Sequence, residues 1–219
     1  MKRTSLSIVL ALSLTGCAAT SDLPADYVLD PEQPDGLAII SLTLSGEPLE
    51  KVASFEYRIR SLPPKDGEAV IARPYFESLR QQARGLSRLT SHVDGSRRIV
   101  VKGPDSNEPL DLREDARAGR VASLRLPAGT YEFYAWTLKD LPGQSGGTEY
   151  GPRRPFSYRF SVKPGQATYI GQLDLHLSDG KTQKITVEDK RERDLALLEK
   201  KLPSIGATPV ASEVGPVRP

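Results

Sequence analysis

The sequence predicts a mainly β protein, an antiparallel β-sandwich closed by a C-terminal helix. Three observations predict it. Apolar and polar residues alternate with a period of two in several short runs, the pattern of strands with one dry and one wet face. Eighteen Gly and eighteen Pro punctuate a chain of 219 residues, mostly between those runs. Strand-like runs do not alternate with helical ones, as a parallel α/β fold would require.

The elements follow in chain order. "LAIISLTL" (37–44) reads as a first strand. In "FEYRIR", Phe55, Tyr57 and Ile59 alternate with Glu56, Arg58 and Arg60. "RRIVVK", "RVASLRL" and "KITVE" add further strands. In "FSYRFSV", Phe156, Tyr158, Phe160 and Val162 share one face; in "LDLHL", Leu173, Leu175 and Leu177 do. Asp179-Gly180 is a hairpin signal, because such turns need positive φ. Residues 189–202 carry Leu195, Leu198 and Leu202 at helical spacing, and Pro203 ends them. Residues 74–84 carry Phe76, Leu79 and Ala83 on a second, weaker stripe.

Two stretches carry a resemblance. "LPAGTYEFYAW" (126–136) resembles the Pro-x-Gly-x-Tyr turn and strand of prealbumin-like and carboxypeptidase-regulatory-like sandwiches. "VKPGQATYIGQLDL" (162–175) resembles the corresponding strand pair in bacterial lipoproteins of uncharacterised function that carry such a domain. The resemblance implies an extracytoplasmic, mostly non-enzymatic β-domain. A prealbumin-like or immunoglobulin-like arrangement of strands is the expectation.

The first residues are Met1, Lys2 and Arg3, followed by a short apolar run and small residues. That is the organisation of a secretory signal peptide. The run is far shorter than the ~20 residues that span a bilayer. At its end, Leu14-Thr15-Gly16-Cys17 resembles the bacterial lipobox, and Cys17 is the only cysteine. The resemblance implies that a diacylglycerol is attached to the Cys17 sulfur and that the chain is cut before it. The thiol then becomes a thioether, which leaves no stray thiol in an oxidising compartment. Several acyl chains on one residue anchor far more firmly than one. Ala18, rather than Asp, follows the cysteine. In enteric lipoproteins that implies the periplasmic side of the outer membrane, with the inner membrane as the alternative.

The expected organisation is a leader over 1–16, a lipidated tether over 17–35, the sandwich and helix over 36–202, and a disordered tail over 203–219. Pro24, Pro31 and Pro34 break the tether, and Pro, Gly and Ala crowd the tail. Loss of residues 1–16 removes Lys2 and Arg3, leaving 28 basic side chains against 28 acidic ones. A neutral chain is a poor match to a polyanion, so nucleic acid is excluded as a partner.

No constellation points to catalysis, a metal or a cofactor, and the chain is read as not an enzyme. "GQSGG" (143–147) matches the G-x-S-x-G nucleophile elbow around Ser145, but no helix follows it. Gly180-Lys181-Thr182 lacks the upstream glycine of a P-loop, since Leu175 stands there. Asp174 and His176 share a strand face but fall short of the three or four ligands of a zinc site, and His92 is distant in sequence. They read as a solvent-facing polar pair. Arg73, Arg80, Arg84, Arg88, Arg97 and Arg98 gather in one region, followed by acidic residues. A solvated surface is the simpler account than a lipid-headgroup contact.

"YEFYAW" offers the one candidate contact surface. Strict alternation puts Tyr131, Phe133 and Ala135 inside and aims Glu132, Tyr134 and Trp136 outward. Tyr134 and Trp136 would then stack on sugars such as peptidoglycan or lipopolysaccharide, or meet a protein partner. Alternatively the C-terminal helix lies across them, and its leucine stripe favours that account. The expected partners are therefore membrane lipid through acylated Cys17 and an envelope protein or glycan.

Overall fold

The structure is a computed structural model and describes residues 23–63, 98–107, 109–114, 116–141, 147–178 and 182–218. Eleven strands, one helix and two 3-10 turns are described. They are β1 (Asp35–Ser45), a turn at Leu49–Lys51, β2 (Val52–Ser61), β3 (Arg98–Lys102), β4 (Leu112–Glu114), β5 (Arg117–Pro127) and β6 (Gly129–Asp140). They continue as β7 (Glu149–Tyr150), β8 (Tyr158–Val162), β9 (Ala167–Ser178), β10 (Thr182–Glu188), α1 (Arg191–Lys201), a turn at Pro203–Ala207 and β11 (Val210–Ser212). One sheet has the order β10-β9-β1-β5-β4, with β11 also on β9. The other has the order β3-β2-β6-β7, with β8 also on β6.

The inner faces of the two sheets share one core. Ala38, Ile40, Leu42 and Leu44 of β1 and Leu173, Leu175 and Leu177 of β9 meet Phe55, Tyr57 and Ile59 of β2 and Tyr158, Phe160 and Val162 of β8. The period-two runs of the sequence therefore face where they should. β5 and β6 belong to different sheets, so the turn at 127–129 carries the chain across the body. The Tyr131 hydroxyl donates back to the Pro127 carbonyl at 2.7 Å, which gives the Pro-x-Gly-x-Tyr pattern its physical basis.

The first sheet is covered on both sides. Leu37 and Ile39 of β1, Val121 of β5 and Ala167 and Tyr169 of β9 point away from the shared core. Leu198 of α1, Leu202 and Ile205 cover them. The helix carries Glu192 and Asp194 in its first turn and Lys200 and Lys201 in its last, complementing its dipole. This second layer explains why β1 is apolar on both faces and almost wholly buried.

Three expectations need correction. The first sheet is not purely antiparallel: β1 and β11 both run parallel to β9. Strands so far apart in sequence need no hairpin and can pair in either direction. The tail is not disordered: β11 continues the edge of β9 below β10, and Ser157 and Arg218 exchange backbone hydrogen bonds of 2.8 Å. The segment thus laces one sheet to the other, with Val214 against the helix layer and Val217 against the shared core. The tether does not extend to residue 35. Leu23, Tyr27 and Leu29 pack on the helix layer, and the Ser204 hydroxyl donates to the Tyr27 carbonyl at 2.5 Å.

Several predicted features lie outside the described residues. They are the leader and Cys17, the helix over 74–84, His92, the arginines from 73 to 97, Ser145, and the Asp179-Gly180 turn with Lys181. Ser178 and Thr182 are paired across β9 and β10, as a hairpin there requires.

Candidate functional site

The structure separates Tyr134 from Trp136. Arg58 stands opposite Ala135 and Ile59 opposite Phe133, so Tyr134 is an extra residue in β6. Such a β-bulge shifts the alternation by one. Beyond it Trp136 turns inward and is 1% exposed, edge-on to Phe55 with centroids 6.4 Å apart. The outward aromatic patch therefore does not exist. Nor does the helix cover this strand, since α1 lies on the other sheet.

Tyr134 is half-buried beneath the Arg60 guanidinium, which sits 4.8 Å from its ring centroid. Arg60 also grips Glu132 at 2.6 Å, while Ser157 donates at 2.5 Å and Arg159 at 3.3 Å. The Glu132 side chain is only 3% exposed. Burial works against its charge, but the Ser157 hydroxyl and the two guanidiniums outweigh it and hold the carboxyl below its ordinary value.

The outer face of the first sheet holds a polar assembly beside the helix. Cross-strand register places Ser41 beside Gln172, Thr43 beside Asp174 and Ser45 beside His176. Asp174, 2% exposed, accepts from Thr43 at 2.6 Å and from Ser45 at 2.8 Å, and pairs with Arg117 at 3.2 Å. Asp194, fully buried, projects from α1 onto the same face and accepts from Ser41 at 2.5 Å and Tyr169 at 2.7 Å. Arg193 links Asp194, at 2.6 Å, to Gln172 at 2.5 Å and Glu114 at 2.7 Å. Burial works against the Arg193 charge, but Asp194 and Glu114 outweigh it and raise its pKa. Burial raises the Tyr169 phenol, and the Asp194 carboxylate raises it further.

Asp174 and His176 do share a face, as predicted, but Asp174 is sealed rather than solvated. The sequence reading missed Asp194, Ser41, Thr43 and Ser45. One signal could have found them: a strand apolar on both faces over 37–40 demands a second covering layer, and polar residues following on its outer face must be satisfied beneath that layer's edge.

The chemistry follows from proton counting. The Asp174 carboxylate only accepts, so the Ser45 proton lies toward it. The 3.1 Å contact between Ser45 and His176 is then made by the imidazole Nδ1–H. An Nδ1 that carries a proton cannot take one from Ser45, so the trio is a hydrogen-bond relay rather than a nucleophile–base pair. A separate cavity of about 460 Å³, lined by Leu49, Glu50, Asp105, Leu110, Asp111 and Arg113 among others, opens between the Leu49–Lys51 turn and β4. Asp111 is already engaged by Lys201 and the Val121 N–H, each at 2.7 Å. Among the described residues no three His, Cys, Asp or Glu side chains are grouped to hold a metal. No helix among them is long and apolar enough to cross a membrane.

No protein-family model and no curated protein matches the chain. Among solved structures it is similar to a leucine-rich repeat protein from Bacteroides thetaiotaomicron, at 13% identity and a TM-score of 0.30. The match covers 67% of this chain and 14% of that one. A likeness that low carries neither fold nor function across.

Proposed function

We propose that the protein is a lipid-anchored lipoprotein of the bacterial cell envelope, whose β-domain serves as a non-catalytic structural or interaction module. The observation that carries this reading is Leu14-Thr15-Gly16-Cys17, with the chain's sole cysteine at the acceptor position behind a short apolar leader. The Tyr131–Pro127 clamp supports a sandwich of the prealbumin-like kind. The internal closure of the Asp174 and Asp194 assemblies supports a structural role for their polar side chains. Ala18 favours the periplasmic face of the outer membrane. The partner is an envelope protein or glycan, met through a surface other than Trp136.

Metabolic labelling with palmitate tests the reading. Wild-type protein in its bacterial host should carry label and sediment with membranes, and Cys17→Ala should lose both. Wild-type protein recovered water-soluble with an unmodified thiol would overturn it.

A further inference from the structure

We propose that the surface built by residues 23–34, with the Pro203–Ala207 turn and α1 beneath them, is the side of the body that faces the lipid bilayer. This rests on the lipoprotein reading of Cys17.

Residues 23–34 are secured at both ends. Leu23, Tyr27 and Leu29 pack against the buried cluster that includes Leu198, Leu202 and Ile205. Ser204 holds the Tyr27 carbonyl, and the Gln33 side chain donates to the Tyr27 hydroxyl at 3.0 Å. Further along, Ala128 donates to the Pro34 carbonyl and Gly165 to the Asp35 carbonyl. Gly165, at φ +60°, lies so close to Pro31 that a Cβ there would sit 2.0 Å from the Pro31 oxygen. Only glycine fits that approach, which fixes the segment against the β8–β9 connection.

The fastened chain therefore begins at Leu23, six residues after Cys17. At no more than about 3.6 Å per residue, that stretch cannot exceed roughly 20 Å in any conformation. The body is larger than its leash. β6 alone, at about 3.3 Å per residue, runs roughly 35 Å from Gly129, beside the Pro127–Asp35 pair, to Asp140. β7 pairs at that far end and in the opposite sheet, with Glu149 against Lys139. An anchor this short keeps the Leu23 corner at the lipid surface and β7 away from it. Val28 is the most exposed large apolar side chain described, at 70%, while its neighbours Tyr27 and Leu29 turn into the body.

The test uses the acylated full chain. Its own cysteine is a thioether, so an introduced cysteine is the only thiol. Ala207→Cys, exposed on the Pro203–Ala207 turn, and Glu149→Cys proteins are labelled with one fluorophore and reconstituted in phosphatidylethanolamine–phosphatidylglycerol vesicles that carry a headgroup quencher. Quenching at Ala207→Cys should exceed that at Glu149→Cys severalfold. Adding Tyr27→Ala and Leu29→Ala to each should free the segment, lengthen the leash about threefold and collapse the contrast. Equal quenching at the two sites, stronger quenching at Glu149→Cys, quenching at neither, or a contrast that survives release would each overturn the orientation. Mass spectrometry on the same samples separates the two ideas: a Cys17 without acyl chains overturns the lipoprotein reading instead.

Discussion

Phe133 and Trp136 stand three residues apart on one strand and face the same core. Phe133 meets Tyr57 edge-on at 5.8 Å, and Trp136 meets Phe55 edge-on at 6.4 Å. Only the extra residue at Tyr134 allows this. Trp136 is the sole tryptophan, so its emission should be blue-shifted, resistant to aqueous quenchers and indifferent to added peptidoglycan fragments. Trp136→Ala should cost about 3–5 kcal/mol in urea unfolding.

Two core tyrosines should respond in opposite ways to loss of the hydroxyl. Tyr158 donates to the Ile170 carbonyl, whereas the buried Tyr57 hydroxyl has no partner among the described residues. Tyr57→Phe should be neutral or stabilising, and Tyr158→Phe should cost about 1 kcal/mol, by denaturant midpoints.

Burial also raises these phenols: Tyr57 well above its ordinary value and Tyr158 to about 12. A value raised in the fold means the neutral form is the stable one. Stability is thus intact below the unfolded value near 10 and lost as pH climbs through the folded values. Phenolate absorbance should show these tyrosines ionising together with unfolding, while Tyr57→Phe softens the alkaline limb.

Much of the body was legible in the sequence, because period-two runs report burial directly. Phe55, Tyr57 and Ile59 face the shared core, as do Leu173, Leu175 and Leu177. What escaped was any feature that breaks the period or adds a layer. At Gly171, φ +104°, the register with β1 slips, so Tyr169 and Gln172 share the outer face three residues apart. The slip at Tyr134 has no glycine to announce it. The closing run after Pro203 has strand-poor composition, and it pairs because β9 offers an open edge below β10. Asp194 reads as a helix-surface acid, and only the meeting of α1 with β1 and β9 buries it.

Glu132 should control the acid limb. Its carboxyl is held below the ordinary 4.5, so its contribution is present above that value and lost as pH falls through the folded one. Glu132→Gln should cost roughly 1–2 kcal/mol at neutral pH, since Arg60 and Arg159 can turn to water but the buried amide cannot replace the carboxylate. The deficit should shrink toward zero in acid. Denaturant midpoints across the acid range would show the two curves converging.

Removing residues 210–219 should do more than shorten the chain. It uncovers the lower edge of β9, strips Val214 and Val217 from their two apolar clusters and breaks the Ser157–Arg218 bridge. The loss should be on the order of a few kcal/mol, and the exposed edge should promote association at high concentration. Light scattering beside thermal melts would register both effects.

Asp194 should be the most sensitive polar position among the described residues. Its carboxylate is fully buried, with Ser41 and Tyr169 donating to one oxygen and Arg193 to the other. Asp194→Ala leaves three donors facing one another without an acceptor, and removal of one partner from a buried charged pair costs about 3–5 kcal/mol. Asp194→Asn discriminates shape from charge. Its oxygen must turn to Arg193, which cannot accept, so its amide must donate to Ser41 or Tyr169. Tyr169 already accepts the Lys190 N–H, which leaves Ser41 as the better acceptor. The asparagine protein should therefore lie between wild type and alanine, and combination with Ser41→Ala should remove most of its advantage. Because α1 covers Leu37, Ile39 and Tyr169, the alanine protein should also bind a hydrophobic dye before the two-sheet core melts. Coincident dye binding and core unfolding would show instead that the helix and sheets melt as one unit.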